Sequence, residues 1–179
     1  HTLAHNHDPR PVVVGRRRKS MGAQCALGRS AGTRADVDAV LTGLVDRVTR
    51  RMRAAGRAGR TVMLRLRFGD FTRATRSHTL PQATAGTDAI LATARELLAG
   101  SWPLVGERGI TLVGVAVGNF DPAGAIQLAL PFDRGRGAVV DVALDAAVDG
   151  VRDRFGSAAV TRGVLLGRDP GLAVPLLPD

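Results

Sequence analysis

Tyrosine is missing from this chain, and its other aromatic residues are five Phe and one Trp. Proteins that read single-stranded nucleic acid usually stack bases on exposed aromatic rings. Little is available here for that. Cysteine occurs once, at Cys25, which excludes an internal disulfide and suits a reducing compartment. No apolar run nears the roughly 18 to 20 residues of a membrane span. The opening residues, HTLAHNHDPR, lack the pattern of a signal peptide. A cytosolic protein without membrane contact is the expectation. Lysine is scarce too, because Lys19 is the only one among 25 basic residues.

What is present is a chain of 179 residues, 45% hydrophobic, with a formal charge of +9. That composition supports a folded core. The charge is uneven. Residues 1–80 hold 17 Lys or Arg against 5 Asp or Glu, whereas residues 81–179 hold 8 against 11. The first half therefore suits an anionic partner, with nucleic acid the leading candidate and a solvated arginine-rich surface the plain alternative. With so few aromatics, binding is expected at the phosphates of a duplex, strongly salt-dependent and weakly sequence-specific.

Residues 1–15, with Pro9, Pro11 and Gly15, look like a linker or the tail of something upstream. His1, His5 and His7 lack a second ligand group and read as an exposed segment. From Ser20, RRRKSMGAQCALG alternates, with Met21, Ala23, Cys25 and Leu27 on one side and small residues on the other, as in a half-buried strand. Thr33 opens a helix carrying Val37, Val40, Leu41, Leu44, Val45, Val48 and Met52, with arginines near its end and Gly56 as a stop. TVMLRLRF is a second strand, with Val62, Leu64, Leu66 and Phe68 facing one way and Met63, Arg65 and Arg67 the other. Gly69-Asp70 suits a two-residue type II′ turn. In the partner strand FTRATRSHTL, Arg73 and Arg76 project to opposite faces, and Thr75, Ser77 and Thr79 share the Arg73 face. Such a face suits phosphates, or is an ordinary solvated one.

Thr87 and Asp88 open a second helix, expected to stop at Gly100. GITLVGVAVGNF is a fourth strand with Val113, Val115 and Val117 on one face. Its glycines do not make a phosphate loop, since no Gly-Lys-Ser/Thr follows. The order βαββαβ predicts an α+β fold, a four-stranded sheet with two helices on one face and the other face open.

AIQLALPFD, residues 125–133, then places four large apolar side chains between two loop-like runs. Gln127, Leu130 and Phe132 fit the pattern Gln-x-x-Leu-x-Phe. The amide can hydrogen-bond at a rim while Leu128, Leu130 and Phe132 enter an apolar pocket, and Pro131 limits the entropy lost on docking. Folding back over the chain's own sheet edge is the alternative. After RGRG, a flexible hinge, Val140, Leu144, Val148, Val151 and Phe155 recur at helical spacing, and Asp141, Asp145, Asp149 and Asp153 form an acidic stripe. AAVTRGVLLGRD reads as a short strand before a Pro-rich tail.

These residues carry a family resemblance. RRRKSMGAQCALG, GRTVMLRLRFGDFTRATRSHTL and ERGITLVGVAVGNF resemble the little finger domain of Y-family translesion DNA polymerases. IQLALPF resembles the peptide by which bacterial members of the DNA polymerase IV (DinB) branch bind the replicative sliding clamp. The acidic helix and TRGVLLGRD resemble the extension of actinobacterial members.

The resemblance implies end of thumb and linker over 1–15, little finger over 16–120, a clamp-binding loop over 121–137 and a C-terminal extension over 138–179. It implies a grip on both backbones of template-primer DNA by Arg16, Arg17, Arg18, Lys19, Ser20, Met21 and Gly22, with Arg65, Arg67, Arg73, Thr75 and Arg76. It implies clamp binding by Gln127, Leu128, Leu130, Pro131 and Phe132. Two-metal nucleotidyl transfer needs carboxylates gathered around Mg²⁺. Asp8, Asp36, Asp38, Asp46 and Asp70 are scattered instead, so the chain alone is expected to be an inactive monomer without a cofactor of its own, its full-length parent using Mg²⁺. A catalytically dead clamp adaptor and a free-standing nucleic-acid-binding module are the competing readings.

Overall fold

The computed structural model describes residues 2–6, 8–11, 18–27, 33–121 and 137–168. Strand β1, Ser20–Ala26, alternates as expected, with Met21 buried and Ser20, Gly22, Gln24 and Ala26 exposed. Helix α1, Arg34–Ala54, begins at Thr33, whose hydroxyl oxygen accepts the Asp36 N–H at 3.2 Å. It ends at Gly56, which takes a left-handed φ of 61°. That lets Arg57 N–H reach back to the Met52 carbonyl at 2.8 Å, a closing bond typical of glycine-terminated helices.

Strands β2, Gly59–Phe68, and β3, Arg73–Thr84, form an antiparallel hairpin. Its turn differs from the expected one. Phe68 N–H bonds the Thr72 carbonyl, Phe71 N–H bonds the Phe68 carbonyl, and Phe71 rather than Gly69 takes positive φ, at 64°. The loop is thus Gly69–Asp70–Phe71, with a left-handed third residue. Gly69 serves close approach instead. Its N–H bonds the Arg108 carbonyl at 3.0 Å, and a Cβ there would lie 2.7 Å from that oxygen. Asp70 Oδ1 accepts from Thr72 N–H and Thr72 hydroxyl, and these bonds, the hydroxyl first, hold its carboxyl below the usual carboxylate range.

Helix α2, Thr87–Arg108, does not stop at Gly100. Ser101 and Val105 are buried beyond it, and the Ser101 hydroxyl bonds the Leu97 carbonyl at 2.9 Å. Burial thus outweighs the glycine penalty, and the helix runs on to Gly109 at φ 65°. Strand β4, Ile110–Phe120, then inserts between β1 and β2, giving the order β1-β4-β2-β3. The core lies between this sheet and the two helices. Leu41, Val45, Val48 and Met52 of α1 and Ile90 and Leu98 of α2 meet Val62, Leu64, Leu66, Val113, Val115 and Val117. Each such side chain contributes about 1.5–3 kcal/mol on burial.

Helix α3, Gly137–Phe155, lies against α1 through ion pairs and against the start of α2 through hydrogen bonds from Thr87 to Asp145. The short strand expected after it is a 3-10 turn, Gly163–Leu165. Among the described residues no strand lies alongside to pair with it, and the turn instead brings Leu165 over Gly43 of α1.

Candidate nucleic-acid interface

Strand alternation puts every second residue on the face away from the helices. The register aligns Gln24, Gly114, Arg65 and Thr75 in one row across the four strands. The next rows are Gly22, Ala116, Met63, Ser77 and Ser20, Gly118, Thr61, Thr79, and on the other side Ala26, Leu112, Arg67, Arg73. None of these positions is acidic. The face has two halves. Over β1 and β4 it is a shallow trough floored by backbone, lined by Ser20, Gly22, Gln24, Gly114 and Ala116. Over β2 and β3 it carries arginines and hydroxyls.

Arg67 and Arg73 are direct cross-strand partners. Like charges so placed repel. Arg67 Nε donates to the Thr111 hydroxyl at 3.0 Å, which steadies its guanidinium. Arg65 and Arg73 are exposed and have no ion-pair partner among the described residues. The Thr61 and Thr79 hydroxyls lie 3.0 Å apart and share one hydrogen bond.

The structure brings together most of the expected residues it describes. Ser20, Gly22, Arg65, Arg67, Arg73 and Thr75 share the open face. Arg18 and Lys19 lie at its end, where β1 begins. Met21 is a correction, because its side chain is 3% exposed in the core and alternation turns it away from any partner on the open face. Arg76 pairs with Leu64 and so projects on the helix side. Arg16 and Arg17 lie outside the described residues, as do Gln127, Leu128, Leu130, Pro131 and Phe132.

Sequence reasoning missed Arg57. Its guanidinium stacks on Phe120, 4.2 Å from the ring centroid, and donates to the Arg18 carbonyl at 2.7 Å. It therefore fixes where β1 begins relative to β4. No periodic pattern marks it, since it sits in the turn between α1 and β2. Among the described residues no group of acidic, His or Cys side chains could hold a metal ion, and no helix is long and apolar enough to cross a membrane.

The family model for the impB/mucB/samB family C-terminal domain matches residues 18–130. The chain belongs to that family, the Y-family DNA polymerases, and carries its C-terminal little finger domain. Among curated relatives, "DNA polymerase IV 2" of Mesorhizobium japonicum is 37% identical over 174 residues, covering 91% of this chain. The chain spans 41% of that relative's length, and 41% and 40% of the DNA polymerase IV of Desulfatibacillum aliphaticivorans and of Caulobacter vibrioides. The solved "Dbh Ternary Complex (substrates partially disordered)" shares the fold, with 15% identity and a TM-score of 0.52 over 68% of this chain and 34% of that one. A chain in the "Complex of beta-clamp processivity factor and little finger domain of PolIV" aligns at 25% identity over 62% of this chain and 97% of that one, with a TM-score of 0.46. The little finger domain thus accounts for β1 to β4, while α3 follows the matched region.

Proposed function

We propose that this little finger grips template-primer duplex DNA by its phosphates, as part of a translesion DNA-directed DNA polymerase, and tethers that enzyme to the sliding clamp. One observation carries the DNA reading: Arg67 and Arg73 oppose each other on a face without carboxylates. Their mutual repulsion is offset when a phosphate lies between or beside them and attracts both. Arg65, Thr75, Ser20 and the Gly22 backbone supply further donors, and the trough over β1 and β4 lets a sugar-phosphate chain approach closely. No base readout is required of this face, because a polymerase accepts any sequence.

On this reading the nucleotidyl transfer and its Mg²⁺ belong to other parts of the parent, and primer extension by the purified chain with Mg²⁺ and nucleotides would overturn it. The clamp reading rests on the sequence pattern of Gln127, Leu128, Leu130, Pro131 and Phe132. Such a peptide alone binds with about micromolar strength, and DNA held by the same domain raises the effective affinity.

Titration of the chain with fluorescent duplex at rising salt tests the DNA grip. Log affinity should fall against log salt by about 0.9 per phosphate neutralised. Absence of duplex binding, or tighter single-strand binding, would refute it. Titration with bacterial sliding clamp tests the tether: Gln127→Ala with Phe132→Ala should abolish binding without altering the fold, and unchanged binding would sink the assignment.

A further inference from the structure

Helix α2 starts at Gly86, which has no side chain to offer the first amides. A helix start leaves its first N–H groups without intrahelical acceptors. Here the acceptor comes from another helix. Asp145 of α3 accepts the Thr87 N–H at 2.8 Å and the Thr87 hydroxyl at 2.7 Å. Arg53 of α1 reaches the same carboxylate at 3.1 Å, the Thr87 hydroxyl oxygen at 3.0 Å and the Ala85 carbonyl at 3.0 Å. Its other nitrogens grip Asp149 at 2.6 and 3.1 Å. Burial works against the Arg53 cation, but the bond to Asp149 and the charges of Asp145, Asp149 and Asp46 outweigh it, and the guanidinium is held more firmly protonated than usual.

Further ion pairs hold the segment, beside the apolar contact of Leu165 over Gly43. Arg50 meets Asp153 at 2.8 Å, Arg152 meets Asp46 at 2.9 Å, Arg162 meets Asp88 at 3.1 Å and Arg168 meets Asp36 at 2.9 Å. Both signs occur on both sides, so only one register satisfies them all. The apolar stripe is not the docking face, and Val148 in it is only half-buried. Leu144 is 54% exposed and Phe155 66%. Helix α3 therefore docks by its charged side, the reverse of an amphipathic helix on a core.

We propose that residues 137–168 form an ionic latch that caps α2, so that docking of α3 and order in the first turn of α2 are one event, weakened by salt. Asp145, at 8% exposure, is the pin. The outer pairs are the arms: Asp153 and Asp88 are partly exposed and open to screening. Hydrophobic docking would respond to salt in the opposite sense or not at all. This latch lies on the helix side of the domain and stands apart from the DNA reading.

Amide exchange by NMR on the whole chain tests it. Removing a buried acceptor by Asp145→Ala should speed exchange of the Thr87 amide roughly tenfold or more, with that of residues 143–168, while β2 and β4 amides hold. Raising salt from about 0.1 M to about 1 M should speed residues 143–168 in the wild-type chain. If Asp145→Ala fails to fold, Asp153→Asn on the outer arm should still speed residues 150–155 at low salt. An unchanged Thr87 amide in Asp145→Ala, or residues 143–168 indifferent to both salt and Asp153→Asn, would overturn the latch.

Discussion

Arg67 and Arg73 stand directly opposite each other on the open face, Arg67 steadied by Thr111 and Arg73 bare to solvent. In the absence of an anion this pair is a liability. Arg73→Thr should therefore stabilise the isolated chain by about 0.2–1 kcal/mol while weakening duplex binding. Removing Arg65, Arg67 or Arg73 should each lower the salt slope of binding by about 0.9. Anisotropy titrations over a salt series, paired with urea melts, read both effects. A slope that survives the triple alanine variant would place the phosphates elsewhere.

The trough depends on the absence of side chains at Gly22. A Cβ there would lie 2.9 Å from both the Ala116 Cβ and the Val115 carbonyl oxygen. Gly22→Ala should lower stability by about 1–3 kcal/mol through forced backbone shifts. The urea midpoint should fall with an unchanged slope.

Phe71 holds a left-handed backbone, is 75% exposed and gains no burial there. Phe71→Gly relieves that conformation and should stabilise the domain by about 1 kcal/mol. Thermal melting checks it, and a lower melting temperature would show that the ring makes a contact of its own.

Acid should act on the helix start and the hairpin. Hydrogen bonds from Thr33 first, then from Arg168, hold the Asp36 carboxyl below its ordinary value, as Thr72 holds that of Asp70. A depressed carboxylate contributes stability that is full above the ordinary aspartate pKa and is lost as pH falls through the lowered one. Asp36→Asn and Asp70→Asn should each flatten the acid limb of a stability-against-pH curve and lower the neutral plateau. A curve shifted equally at every pH would contradict these linkages.

The strands were legible because each has one buried face, so Val62, Leu64 and Leu66 alternate with Met63, Arg65 and Arg67 as the sheet requires. Gly69 misled because a glycine suits both positive φ and close approach, and only the distant Arg108 carbonyl decides between them. Gly100 misled because the burial of Ser101 and Val105 lies in the tertiary fold. The acidic stripe of α3 was visible, and so was the arginine cluster ending α1. Their meeting was not, since about ninety residues separate Arg53 from Asp145 and Asp149 and no local pattern spans that distance.

Among the described residues strand β1 pairs only with β4, the last of the four strands to be made. During synthesis β2 and β3 can zip into their hairpin as soon as both have emerged, while β1 waits without a neighbour. The late strand then threads between β1 and β2, turning two open edges into the middle of the sheet. Completion of the domain therefore hangs on one long-range closure, the kind of step that slows folding. A nascent chain halted before Ile110 would lack the one strand with which β1 pairs among the described residues.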